Sequence, residues 1–154
     1  MTGLRIATLD DLDRVLPMVR AFHLAEGLEL DDAHRQAALT PLLEGIPHGV
    51  LYLIGPQRAP VGYIVITFGW SLELGGLDGF VDEFWIRDAV RGRGIGAEVL
   101  AGLMRELARH GMKALHLEAG AENSRAQALY GRMGFKRRDG YHLMTAHIGN
   151  LANT

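Results

Sequence analysis

The run Arg91-Gly92-Arg93-Gly94-Ile95-Gly96-Ala97 puts three glycines and two arginines at the start of an apolar helical pattern. Glycine lets the backbone turn tightly enough for several N–H groups to converge. A helix beginning there adds its own unpaired amides and the positive end of its dipole. Such a turn binds an anion, and Arg91 and Arg93 supply fixed charge suited to phosphate oxygens. The alternative for the same residues is a structural strand-to-helix turn with solvated arginines.

Two nucleotide motifs compete for this run. Gly92-x-Gly94-x-x-Ala97 fits the loose dinucleotide fingerprint, with Glu118 at the end of the next strand imitating its ribose-binding acid. That fingerprint normally follows its strand directly, whereas Arg87 to Gly92 intervene here, and only 36 residues follow Glu118. A P-loop also fails, because no Gly-Lys-Ser/Thr follows the glycines.

The elements that must hold this turn can be read from periodicity. Residues 4–7 alternate as a short strand, and Thr8 with Asp11 resembles a capping box for a helix burying Leu12, Val15, Leu16, Val19 and Phe22. Pro17 is expected to bend that helix, and a second runs from about Asp32 to Leu43. Val50–Ile54, Val61–Leu74 and Phe80–Ile86 are rich in β-branched and aromatic residues and read as an antiparallel meander. A helix follows over 95–110, then a strand over Ala114–Ala119, a helix over Ser124–Met133 and a last strand over Tyr141–Ile148. The order is that of an α+β, or mixed α/β, domain.

The chain has 154 residues, 48% of them hydrophobic and 22% charged, with no cysteine and a formal net charge of -2. At roughly 100 to 200 residues per domain, residues 1–154 form a single domain. The absence of cysteine excludes disulfides, thiolate metal sites and a cysteine nucleophile, and fits a cytoplasmic setting. The seven histidines have no tight metal spacing, so no metal is expected. The first residues lack the basic start and apolar run of a signal peptide, and no segment approaches about 18 uninterrupted apolar residues, so no membrane is expected. A near-neutral total argues against nucleic acid as a partner.

With Arg-x-x-Gly-x-Gly at 91–96 and Asn123-x-x-Ala126-x-x-Leu129-Tyr130-x-x-x-Gly134-Phe135 downstream, the sequence resembles the GNAT superfamily of acyl-CoA-dependent N-acetyltransferases. The resemblance covers nearly the whole chain. It implies a central, mostly antiparallel twisted sheet of about six or seven strands, splayed between the fourth and fifth and flanked by about four helices. It implies acetyl-CoA as co-substrate, its pyrophosphate on the amides of Gly92, Gly94, Ile95, Gly96 and Ala97 with Arg91 and Arg93 beside it. Its pantetheine arm would lie along Phe84, Trp85 and Ile86. Asn123 matches a position that contacts the carrier arm, or serves as a plain helix N-cap. Tyr130 matches the tyrosine that protonates the departing sulfur, or is a core aromatic with a satisfied hydroxyl.

Acetyl transfer to an amine also needs the amine neutral, and an alkylamine with pKa near 10.4 is almost entirely ammonium at pH 7. Asp82 and Glu83 are the candidate bases or ammonium binders. Because neighbouring strand residues face opposite ways, only one of them is expected to point into a given site. Each has a structural role as its alternative. His116, on the fifth strand, could approach the acceptor or be a satisfied strand histidine. The first two helices usually cover the acceptor in this superfamily, and their connection here contains Glu26, Glu29, Asp31 and Asp32 with no base. A small cationic acceptor is therefore expected, such as a polyamine, diamine or lysine-like amine. An aminoglycoside, a protein N-terminus and a non-catalytic acyl-CoA sensor are the rivals, and the resemblance leaves a homodimer open.

The charge is unevenly spread. Residues 1–86 carry 5 basic and 12 acidic side chains, a net of -7, and residues 87–154 carry 11 and 6, a net of +5. The basic part begins at the proposed phosphate turn and the acidic part holds the proposed acceptor cover, which suits a polyanionic carrier and a cationic acceptor.

Overall fold

The structure is a computed structural model that describes residues 2–153. The β-rich segments form a five-stranded sheet in the order β1 (Leu4–Ile6), β2 (Gly49–Ile54), β3 (Gly62–Ser71), β4 (Gly76–Ile86) and β5 (Ala114–His116). Neighbours from β1 to β4 are antiparallel, and β5 joins β4 in parallel. The helices are α1 (Leu12–Ala25), α2 (Asp32–Glu44), α3 (Ile95–Arg109) and α4 (Ser124–Arg132). Among the described residues no helix is long and apolar enough to cross a membrane.

Strand alternation splits the core in two. Leu51, Leu53, Tyr63 and Val65 pack under Val15, Met18, Val19 and Leu39 of α1 and α2. On the opposite face, Ile64, Ile66 and Val81 pack with Leu100, Leu103 and Leu107 of α3, and Tyr130 and Met133 of α4 adjoin them. The helix ends follow local chemistry. Asp31 caps α2 by accepting from His34 N–H at 2.8 Å, and Gly45, at φ +102°, ends it. Helix α1 continues through Pro17.

Three expectations change. The β3–β4 connection is the turn Leu72–Gly75 with Ser71 opposite Gly76, so β4 begins earlier than Phe80 and β3 ends before Leu74. Strand β5 is three residues long rather than six, because β4 pairs with it only from Asp78 to Phe80. Tyr141–Ile148 forms no strand, and the sheet has five strands among the described residues instead of six or seven. A ladder needs a partner edge, and these exposed residues have none beside them among the described residues.

The start of the chain is tied to α1 by a buried carboxylate. Asp11 is 3% exposed and receives both terminal nitrogens of Arg5 at 2.7 and 2.9 Å, together with Thr8 N–H at 2.9 Å. The Arg5 hydrogen bond is the main cause that lowers the Asp11 carboxyl to about 2. A carboxyl depressed on folding contributes stability that is present above its unfolded pKa, near 4, and lost as pH falls from there through about 2. Asp11→Asn should therefore cost on the order of 2 kcal/mol at pH 7. In urea unfolding series the gap from the parent should narrow below about pH 4 and close only at about pH 2 and below; a gap constant across pH would contradict this.

Candidate active site

The pairing of β3 with β4 slips by one residue in the middle. Val65 stands opposite Glu83 and Ile66 opposite Val81, which leaves Asp82 as an unmatched extra residue. Before the slip, Asp78 and Phe80 share a face with Gly69 and Thr67; after it, Glu83 and Trp85 share that face with Val65 and Tyr63. Alternation would have sent Asp82 and Glu83 to opposite faces. The bulge turns both toward α1 and α2, where both line one cavity of about 370 Å³. The expectation that only one could serve the site is thus corrected. Such a bulge leaves no local signature in this sequence.

Val19, Leu28, Leu30, Leu39 and Leu42 line this cavity with the two carboxylates, and His34 and His48 line it as well. Glu83 is held at both oxygens. Tyr63, fully buried, donates its hydroxyl to Oε1 at 2.8 Å, and His23 Nε2 lies 2.7 Å from Oε2. Arg35, 4% exposed, donates Nε–H to His23 Nδ1 at 3.1 Å. A guanidinium only donates, so His23 Nδ1 accepts and Nε2 carries the ring proton toward Glu83. Asp82 accepts no hydrogen bond among the described residues and is open to solvent. Its carboxyl is pushed above the ordinary aspartate range, first by desolvation, then by the negative charges of Glu83 and Glu118, against a smaller opposing effect of His23.

Sequence reasoning missed His23, Tyr63 and Arg35. A signal existed for His23, which stands four residues after Val19 on the buried stripe of α1 where a polar group needs a partner. His116 lies nearby on the same side of the sheet, with Nε2 3.1 Å from Asp78 and its ring 5.3 Å from that of Phe80.

The other half of the site is the edge of β4. Beyond Phe80 and His116 the ladder between β4 and β5 stops, so Val81 to Ile86, paired with β3 except at Asp82, present an open backbone edge toward β5. That edge carries Phe84, Trp85 and Ile86 and leads to the glycine turn, where Gly92 and Gly94 have φ of +78° and +76°. The first helical bond of α3 runs from Glu98 N–H to Gly94 O at 3.1 Å. The amides of Ile95, Gly96 and Ala97 are left without an intrahelical acceptor, and no side chain caps them. Nothing lies within 4 Å of the position a Cβ would take at Gly92 or Gly94. An extended polar arm fits the open edge, and a diphosphate fits the uncapped, unobstructed turn.

The remaining expected residues divide. Arg91 is engaged, donating Nε–H to Ile86 O at 2.7 Å and pairing with Asp88, whereas Arg93 is exposed and unpaired among the described residues. Asn123 is the N-cap of α4, accepting from Ala126 N–H at 3.1 Å. Tyr130 is half-buried, stacked edge-on to Phe135 at 5.8 Å, and its hydroxyl makes no hydrogen bond among the described residues. Burial raises its pKa, which keeps the phenol protonated at neutral pH.

The four acids between α1 and α2 are not brought to the cavity wall. Asp31 is the cap of α2, and Asp32 pairs with Arg20 and Arg35, whose hydrogen bonds lower its carboxyl to about 2. Glu26 and Glu29 are exposed, and Leu28 and Leu30 are what this segment contributes to the cavity.

An open strand edge, an uncapped glycine turn and a cavity lined by two carboxylates lie together on one sheet, and the class they suit is an acyl-CoA-dependent N-acetyltransferase. The family model described as Acetyltransferase (GNAT) family matches residues 16–135, and the chain belongs to that family. No curated protein sequence matches it. Among solved structures, the integron cassette protein HFX_CASS3 from the mobile metagenome of Cole Harbour Salt Marsh is 33% identical, over 93% of this chain and 89% of that one, with a TM-score of 0.79. A predicted acetyltransferase with acetyl-CoA from Clostridium acetobutylicum is 18% identical, over 94% and 96%, with a TM-score of 0.75. AAC(6')-Iy in complex with a bisubstrate analog is 14% identical, over 96% and 99%, also at 0.75. The last two show likeness of fold.

Gly94 combines a positive φ with the N-terminal position of the anion turn. Gly94→Ala should weaken CoA binding by about tenfold, since a side chain in the left-handed region costs roughly 1–2 kcal/mol. Calorimetric titration with CoA checks this, and unchanged affinity would contradict the assignment of the turn.

Proposed function

We propose that the chain acetylates a primary amine on a small cationic acceptor, such as a diamine, polyamine or lysine-like amine, by direct attack within a ternary complex. The observation that carries this reading is the pair Asp82 and Glu83 lining one cavity beside the open edge of β4. Two carboxylates with Glu118 acting on one of them make a site that favours a cation. A volume near 370 Å³ suits a small aliphatic amine, and Leu28, Leu30 and Leu39 would cover its methylenes. The cationic preference therefore rests on the strand acids rather than on Glu26, Glu29, Asp31 and Asp32.

The amides of Gly92 to Ala97 and Arg93 would hold the carrier's diphosphate, the edge at Phe84 to Ile86 its arm, and Asn123 its neighbouring groups. Acetyl-CoA, once bound, supplies an activated thioester carbonyl. Asp82 takes the ammonium proton, directly or through water. Its raised pKa brings it closer to the amine's than an ordinary aspartate and narrows the mismatch a base must overcome. Glu83, fixed at both oxygens by His23 and Tyr63, orients the ammonium group at the cavity wall. Tyr130 Oη holds a proton for the departing thiolate. A cytoplasmic location, expected from the cysteine-free chain, belongs to the same proposal.

An amine panel with acetyl-CoA, read by CoA release, tests the substrate class. Diamines and polyamines should turn over; activity confined to neutral or anionic acceptors, or to a protein N-terminus, would overturn it, and no turnover with any amine would favour a sensor. Tyr130→Phe should lower kcat by about 100-fold while CoA affinity stays within twofold.

Asp82→Asn separates function from stability. Turnover should fall by about 100-fold or more. A carboxyl raised on folding makes the native state lose stability as pH climbs through its pKa. The amide variant should therefore melt no lower than the parent at pH 7. A clear drop in Tm would assign Asp82 a structural role instead.

A further inference from the structure

The face of the sheet that carries Glu83 continues outward past the cavity. Val65 stands opposite Glu83, Thr67 opposite Phe80 and Gly69 opposite Asp78, and Thr67 also lines the cavity. Asp78 therefore lies in line with the cavity acids, about 13 Å from the Glu83 rung at roughly 3.3 Å per residue of β3. Its carboxylate is held in place there. The side chain is 21% exposed, His116 Nε2 lies 3.1 Å from Oδ2, and the imidazole stands 5.3 Å from the Phe80 ring. Oδ1 lies over Gly69, 2.8 Å from where a Cβ would stand, and accepts no hydrogen bond among the described residues. Between the two acidic places Phe80 joins neither core cluster and leaves its ring partly in water.

We propose that Asp78 binds the distal ammonium group of a polyamine whose reacting amine lies at Asp82 and Glu83, so that the site selects longer polyamines over short diamines. The inference rests on the reading of the acceptor as a cationic amine and deepens it. A distal ammonium needs an oppositely charged oxygen that is not already engaged, and Oδ1 of Asp78 is one. His116 orients the carboxylate from its other oxygen and leaves Oδ1 open. The methylenes between two ammonium groups need apolar cover, which the Phe80 ring and the Thr67 methyl supply on the intervening rung. An aromatic face also attracts a secondary ammonium lying over it. Putrescine is too short to join the two acidic places, whereas spermidine is long enough. Gly69 belongs to the same device, because a side chain there would meet the Asp78 oxygen that the amine requires.

Steady-state kinetics with acetyl-CoA and either putrescine or spermidine test this. In the parent, kcat/KM should be about tenfold higher for spermidine, chiefly through a lower KM. Asp78→Asn should lower the ratio of the two kcat/KM values by about tenfold. Gly69→Ala keeps the charge but sets a methyl against Oδ1, and should lower the ratio as well. The ratio is the readout because a loss of folding, or damage to the acids in the cavity, lowers both rates and leaves it. A monoamine of spermidine's length with no distal nitrogen should respond to neither substitution beyond what putrescine shows. A parent that prefers putrescine, or a ratio that either variant leaves as it was, would overturn the subsite while the cationic acceptor stands. Turnover of neither putrescine nor spermidine would overturn both.

Discussion

Between Val81 and Glu83 the backbone of β4 carries one residue that β3 does not match. Were the ladder regular, a single carboxylate would face α1 and α2 and its neighbour would be driven into the apolar layer under α3, beside Ile66 and Leu103. The extra residue resets the phase of the strand instead. Two adjacent acids then share a cavity without either entering that layer, and the repulsion between them is itself one reason that Asp82 holds its proton more firmly than an ordinary aspartate. Glu83 tolerates the closeness because its oxygens are bonded to Tyr63 and His23, and Arg35 fixes the ring of His23 in turn. Asp82 has no such partners and is the group left to exchange a proton.

The division of labour across the sheet follows from the same stretch of chain. A bulge increases local twist, and β4 parts from β5 within two residues of it. What opens is backbone polarity with no strand partner among the described residues, leading to the uncapped amides at the start of α3. The carrier would thus lie along an edge while the acceptor sits on a face, meeting where the strand bends. Tyr130 of α4 packs against the same core as Phe84 and Leu117, on the α3 face of the sheet.

Much of this was legible in the sequence. The period-two apolar runs marked β2, β3 and β4, the stripe of Ile95, Val99, Leu103 and Leu107 marked α3, and the glycines at 92 and 94 occupy left-handed positions that few other residues tolerate. The acids at 82 and 83 stood out by their chemistry and Tyr130 by the resemblance, and the fold brings the two acids together. What could not be read there depends on partners distant in the chain. A bulge is a relation between two strands, and the Glu83–His23–Arg35 relay joins three elements with 60 residues between the first two. The acids at 26–32 looked like a binding surface because composition does not reveal that Asp31 caps a helix and Asp32 answers two arginines. The strand expected at 141–148 did not form, because a ladder depends on a partner edge that the local sequence does not specify.

Carbon-13 NMR titration of the Asp82 carboxyl tests the shared cavity most directly. In the free protein its midpoint should lie above the ordinary aspartate range, and Glu83→Gln, by removing a neighbouring charge, should lower it. Adding a diamine should lower it as well, because a bound ammonium favours the ionised form. An ordinary midpoint that neither the substitution nor the diamine moves would mean that the two carboxylates do not face one site, and the account built on the bulge would fail.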